Sequence, residues 1–413
     1  MNGLGLLGPG SVVVHACLDP GVPVFGGKGC SVHVQEVLRV LVATGAQVHV
    51  VAARTGGEPP AGLEGVHVHH LPLPSGRRGP ERERDRRALD ERAGRLVADL
   101  VRGSASALVY ERYSLFAHAV QENARGLGVP SVLEVNAPLP LEQAQHRTLH
   151  DAAGADASTR RALRAATRVV AVSSPVARWA REVGGTGVDV AVVPNGVDLD
   201  RFRPAAPGTR AGTSGGSSGR FTVAFVGAFR PWHGVDLLVE AVGRLTALPG
   251  DPVRLLLVGD GPQRAAALAR AAQLGVDVVA PGALDPADVP AALAGAGAAC
   301  APYPPGRAYF SPLKVAEYLA CGLPTVAAAV GDLPGCYRDG HELLLTEPGD
   351  LHALTAALQR LRTDAALRAR LGAVGRAAVE QRHSWRHTVE LSLPVPAAAA
   401  TAATVPAATG EAA

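Results

Sequence analysis

Short, continuously apolar and β-branched runs alternate along this chain with stretches of helical periodicity. Val12–Cys17, Val48–Ala52, Val66–His70, Leu108–Tyr110, Ser131–Val135, Val169–Val172 and Val190–Val193 read as strands. Ser31–Thr44 carries Val34, Val37, Leu38 and Leu41 at helical spacing, with Ser31 as cap and Gly45 as stop. A proline-, glycine- and serine-rich stretch, Pro204–Gly219, interrupts the pattern. It then restarts with strands at Phe221–Val226, Val253–Val258, Val276–Ala280, Ala298–Ala301 and Pro324–Ala328, and a helix at Val235–Leu248. Strands that are apolar throughout are covered on both faces, and with helices between them they form parallel sheets. The expected fold class is therefore α/β, with two doubly wound, Rossmann-like parallel-sheet domains facing each other across a cleft. Residues 1–203 make the first domain, 204–219 a flexible linker and 220–393 the second, whose last helices can cross back to the first. The tail 394–413, rich in alanine, threonine and proline, reads as disordered. In such sheets ligands sit at the carboxyl ends of the strands.

Composition narrows the function. Of 413 residues, 47% are hydrophobic and 19% charged, a globular balance. A net charge of +3 is too small to imply nucleic acid. The five cysteines (Cys17, Cys30, Cys300, Cys321 and Cys336) show no metal-ligand spacing and suit a reducing cytoplasm. No apolar run reaches the roughly 20 residues of a membrane span, and Met1–Gly10 has no basic leader region. Arg77–Arg102 holds nine arginines and six acids and reads as a solvated amphipathic helix. Its basic excess leaves peripheral contact with the inner membrane face as a second reading.

The basic residues are uneven in kind. Of 40, only Lys28 and Lys314 are lysine, and each opens a helix beyond a loop that suits a ligand. The segment Tyr309–Thr325 reads YFSPLKVAEYLACGLPT. Ser311 and Pro312 suit a cap and a first helical position, and Lys314 and Glu317 fall three apart on one face. Free N–H groups plus a lysine make an anion site, and a carboxylate just beyond can accept from both hydroxyls of a ribose.

This segment resembles the nucleotide-sugar loop of retaining family-4 glycosyltransferases with the GT-B fold. The likeness extends to GGKG near the start, AVSSPVARWARE, VVPNGVDLDRF, FVGAFRPWHGVDLL, LLLVGDGP and SPLKVAEYLACGLPTVA. It implies a transferase that takes the donor in the second domain and the acceptor, a small molecule, lipid or polysaccharide, in the first. Glu317 matches the family's ribose-binding glutamate. Arg230 and Lys314 are expected on the diphosphate as the catalytic pair. Gly26, Gly27, Lys28, Gly259, Gly261, Tyr309, Phe310, Ser311, Pro312 and Leu313 are expected to line the donor. Two departures stand out: Tyr309 occupies the place of the family's other glutamate, and the loop after Phe221–Val226 has Ala228 and His233 where the family has Arg and Lys.

No cofactor or metal is expected. Asp198-Leu199-Asp200 has the form of a metal motif but lies in the family's hinge loop. Glu134 and Asn136 end a strand and are candidates for touching acceptor or donor sugar, or for merely closing a turn. Glu111 and Arg112, within Tyr110–Tyr113, are candidates for an internal ion pair, and His33 sits one turn into the first helix. Two other functions remain open on sequence alone, a nucleotide-sugar epimerase and a degenerate sugar-nucleotide binder.

Overall fold

The computed structural model describes residues 3–205, 219–306, 311 and 313–394. Most of the expected linker, the expected tail beyond Pro394, and Tyr309, Phe310 and Pro312 lie outside the described residues.

The first unit is built on β1 (Val12–Cys17), β2 (Gln47–Ala52), β3 (His67–His70), β4 (Ala107–Arg112), β5 (Ser131–Val135), β6 (Arg168–Ala171) and β7 (Val190–Val192). Its seven strands are parallel and run in the order β3-β2-β1-β4-β5-β6-β7. The second unit holds β8 (Phe221–Val226), β9 (Val253–Val258), β10 (Asp277–Gly282), β11 (Ala298–Ala301), β12 (Thr325–Ala328) and β13 (Leu344–Thr346). These six are parallel too, in the order β10-β9-β8-β11-β12-β13. Both sheets reverse direction beside their first strand, between β1 and β4 and between β8 and β11, which is where doubly wound sheets bind ligands.

Alternation along β8 shows why the run must be apolar throughout. Phe221, Val223 and Phe225 pack on the helix Val235–Thr246 through Leu238, Val242 and Leu245. Ala224, one step out of phase, faces Val315, Tyr318 and Leu319 of the helix Leu313–Ala320. Each fully buried leucine or valine there contributes about 1.5–3 kcal/mol.

Element edges differ from the sequence expectation in particular places. The first long helix spans Gly29–Val42, with Lys28 rather than Ser31 at the capping position. Lys28 is extended (φ −77°, ψ 154°), and its carbonyl accepts from the N–H groups of Ser31 and Val32. The chain enters the second unit at Pro194, ahead of the expected linker. Val197 and Phe202 are buried in the second unit's core, and the Val197 N–H donates to the His383 carbonyl at 2.7 Å. Residues 172–175 also belong to the second unit, and the chain rejoins the first at Val389, within the helix Trp385–Ser392.

No helix among the described residues is long and apolar enough to cross a membrane. On the arginine-rich helix Gly79–Val101 and its flanks, Arg77, Arg84, Arg95 and Arg102 pair with Asp85, Glu81, Glu91 and Asp99, and Arg87 pairs with Asp151. The surface there is one of mixed charge, with carboxylates interleaved among the arginines.

Candidate functional site

The carboxyl end of β8 continues into Gly227-Ala228-Phe229-Arg230, and backbone geometry fixes this loop. Phe229 has a left-handed backbone (φ 43°), a conformation costing a bulky residue about 1–3 kcal/mol. Its ring is fully buried and meets Phe225 edge-on with centroids 5.6 Å apart. With Phe229 driven inward, Arg230 is exposed, 5.9 Å from the Trp232 ring. A 3-10 turn, Pro231–His233, follows and brings His233 back against the end of the strand.

The helix Leu313–Ala320 supplies the other wall. The Tyr318 hydroxyl accepts from the Val226 N–H at 2.7 Å, tying the helix to the end of β8. Ahead of it, the N–H of Asn195 donates to Ser311 Oγ at 3.0 Å and its side-chain amide to the Ser311 carbonyl at 2.8 Å. Ser311 is thus a tie to the Pro-Asn-Gly segment, a role that the expected donor contact did not include.

Lys314 lies one turn before Glu317. Its Nζ is buried without a hydrogen-bond partner, 4.4 Å from the Phe225 ring centroid and 5.4 Å from that of Tyr303. Burial depresses the ammonium to about 7, against the opposing pull of Glu317. His233 Nδ1 is likewise buried without a partner. Burial first, then the charges of Lys314 and Arg230, lower its imidazole to about 3. Both nitrogens converge on Gly227: a Cβ there would lie 2.8 Å from Lys314 Nζ and 3.2 Å from His233 Nδ1. The arrangement is a desolvated spot at the switch point of the sheet where Lys314 Nζ and His233 Nδ1 both lack a partner. His233 was legible only as a departure from the family pattern, and its burial is what places it in the site.

Gly259 and Gly261, expected to approach a ligand, have a more immediate reason to be glycine. Their φ values are 125° and 152°, and a Cβ would meet the Gly227 and Ala228 carbonyl oxygens at 2.0 and 1.8 Å. They let the loop after β9 close onto the loop after β8. Gly261→Ala should therefore cost about 1–3 kcal/mol of stability and displace Arg230. Urea unfolding together with an anion-binding titration tests this, and an unchanged midpoint would leave the close approach without consequence.

The glycine loop of the first unit is held differently. Buried Gln35 donates to the carbonyls of Val24 and Gly26, both at 2.9 Å. Gly26 packs on Pro23, where a Cβ would come within 2.9 Å, whereas Gly27 has open space around it. Lys28 is exposed and its side chain makes no capping bond.

A buried polar cluster occupies the switch point of the first sheet. In the parallel register Arg112 lies beside Glu134, and His15 beside Tyr110, so all four share one face. Glu134 receives the Tyr110 hydroxyl at 2.7 Å, Arg112 at 3.3 Å, the Asn136 amide at 2.6 Å and His33 Nε2 at 2.9 Å. Burial alone would raise its pKa, but His33, Arg112 and Asn136 outweigh that and hold the carboxyl well below its usual range. His15 stacks on Tyr110 with centroids 5.6 Å apart, and burial lowers it to about 4. Glu134 is thus committed to four neighbours, and His33 is one of them. The ion pair proposed within Tyr110–Tyr113 is absent for the same reason of phase. Glu111 points to the opposite face, where it accepts from Gln121 at 2.9 Å, and burial together with Asp90 raises it to about 8.

Asp198 is spent on its own turn, its Oδ1 accepting from the N–H groups of Asp200 and Arg201, both at 3.0 Å. Among the described residues no three His, Cys, Asp or Glu side chains are grouped to hold a metal ion.

Comparison with known proteins supplies the family. The family described as "Glycosyl transferases group 1" matches residues 220–364, and "Glycosyltransferase Family 4" matches residues 27–201. The D-inositol 3-phosphate glycosyltransferase of Stackebrandtia nassauensis is 30% identical over 402 residues, covering 90% of this chain and 86% of that protein. That of Frankia alni is 30% identical over 378 residues, covering 85% and 90%. Among solved structures, the sucrose-phosphate synthase of Thermosynechococcus elongatus superposes with a TM-score of 0.68 at 22% identity, covering 92% of this chain and 96% of that one. Anabaena HepE in complex with UDP-glucose superposes with a TM-score of 0.63 at 19% identity, covering 92% and 97%. At these identities the structural likeness speaks for the fold.

Proposed function

We propose, from the premise that this chain belongs to the group 1, family 4 glycosyltransferases of the GT-B fold, that it moves a sugar from a nucleoside-diphosphate donor to an acceptor hydroxyl with retention of configuration. The observation that carries the donor half is the buried, unpartnered ammonium of Lys314 at the end of β8, with exposed Arg230 on the loop beside it. A diphosphate would satisfy both, and their interaction with it grows as the glycosidic bond breaks and negative charge collects on the leaving group. Glu317, one turn on, would accept from the ribose hydroxyls. The acceptor hydroxyl would attack from the side the diphosphate leaves, and a phosphate oxygen would take its proton. The protein's part is orientation and a positive site, and two cations can do this without a divalent metal.

Glu317→Ala should weaken donor binding by about 1.5–3 kcal/mol, the worth of hydrogen bonds to a charged acceptor. Calorimetry with a panel of nucleotide sugars tests this, and unchanged affinity would remove Glu317 from the ribose. The relatives' name makes D-inositol 3-phosphate the first acceptor to try. Transfer that persists in excess chelator is expected. Binding of donors with neither transfer nor hydrolysis would leave a sugar-nucleotide binder, and product formed without any acceptor would point to an epimerase.

A further inference from the structure

Two buried nitrogens at the end of β8 lack partners, and the mechanism above uses only one of them. Lys314 Nζ is assigned to the diphosphate, whereas His233 Nδ1 faces the same spot over Gly227 with nothing to bond. The imidazole is enclosed by rings, with centroids 6.0 Å from Phe225, 6.3 Å from Trp232 and 6.4 Å from Tyr303. Among the described residues, the charged groups that act on it are Lys314 from the facing helix and Arg230 from its own turn. Among the described residues, Glu317 and Cys300 act on Lys314, and the Tyr303 ring lies 5.4 Å from its Nζ. Among the described residues, this spot therefore combines two cations with an imidazole whose own charge they disfavour.

We propose that His233 contacts the donor's diphosphate through Nδ1 and takes up a proton as the donor binds. This rests on the reading that a nucleoside-diphosphate sugar occupies the second unit. An arriving diphosphate brings negative charge to the same spot, reverses the repulsion from Lys314 and Arg230, and gives an Nδ1–H an acceptor. All three push the imidazole toward its cationic form. A lysine at this position would add a third permanent charge beside Lys314 and Arg230 whether or not an anion is bound. A histidine supplies that charge only while the anion is present, so binding becomes linked to pH by the number of protons exchanged. The depressed pKa of the free imidazole is the starting condition for this coupling.

The test is calorimetry of UDP-glucose, UDP-N-acetylglucosamine and GDP-mannose at pH 6, each in buffers of low and high ionisation enthalpy. The diphosphates of these donors are diesters that stay ionised at this pH. Lys314 is already largely charged there, so its own uptake is small. Wild type should take up close to one proton, about the full occupancy of one site, per donor bound. His233→Gln should take up close to none. His233→Lys should bind without that uptake and lose the tightening that wild type gains between pH 8 and pH 6. Circular dichroism of both variants checks that they fold. Equal uptake in wild type and His233→Gln, or binding by wild type with no uptake, would overturn the role of His233 and leave the donor site standing. No binding of any diphosphate donor by folded wild type would overturn the donor site, and the proposal with it.

Discussion

Lys314→Met should raise the melting temperature of this protein while slowing transfer. The two effects have one cause. Nζ is buried without a hydrogen-bond partner, and its ammonium is depressed to about 7 from the ordinary 10.5. A group whose charged form is disfavoured by folding costs stability wherever the unfolded chain would carry the charge. That cost is full below about pH 7, shrinks as pH rises toward 10.5, and is absent above it. A methionine removes it and keeps the contact with Phe225, so the gain over wild type should be largest at pH 7 and below. Catalysis should move the other way if Lys314 holds the leaving diphosphate as proposed, since loss of that charged hydrogen bond would remove about 1.5–3 kcal/mol, or roughly 10- to 200-fold in rate. Thermal unfolding at pH 6.5 and 9.5, set beside single-turnover rates, checks both halves. A variant less stable than wild type at pH 6.5 would mean that Lys314 has a partner in the folded protein.

The opposite balance is expected in the first unit. Glu134→Ala should destabilise by about 3–5 kcal/mol, because it leaves Arg112 and His33 facing one another in a buried space without their carboxylate. Glu134→Gln should lose less, since its amide oxygen can still accept from Tyr110 and Asn136. The folded carboxyl is held below its ordinary value of 4.5. Its stabilisation is therefore complete above the unfolded carboxyl's titration and is lost as pH falls through the folded one. Urea unfolding at pH 7 and at pH 3 should show the gap between wild type and Glu134→Ala narrowing in acid. A constant gap would assign the loss to packing alone.

What the sequence disclosed follows from the range of the forces involved. β8 and β11 are legible to the residue, because runs apolar on both faces must be covered by helices on both sides. β13 escapes notice, since Leu344–Thr346 is too short to carry a period. Lys314 and Glu317 stand out from local spacing on one helix. His233 shows only as a departure from the family's lysine, and it is the inward turn at Phe229 that brings it against the end of β8. Glu134 misleads in a similar way. A glutamate near the end of a strand suggests a ligand, and only the register of β4 on β5 and the distant His33 reveal that its oxygens are already taken.

The return of the chain to the first unit at Val389 has a consequence during synthesis. Val389, Ser392 and Leu393 are buried there, and the Ser392 side chain bonds to Tyr110, which also donates to Glu134. The seven strands of that sheet have all been translated by Val192, but this closing segment follows only after the whole second unit. At about 5–20 residues per second the ribosome needs on the order of 10–40 s to bridge the interval. For that time the nascent sheet has its strands but not its final cover, and the patch around Tyr110 is where a chaperone would find it open.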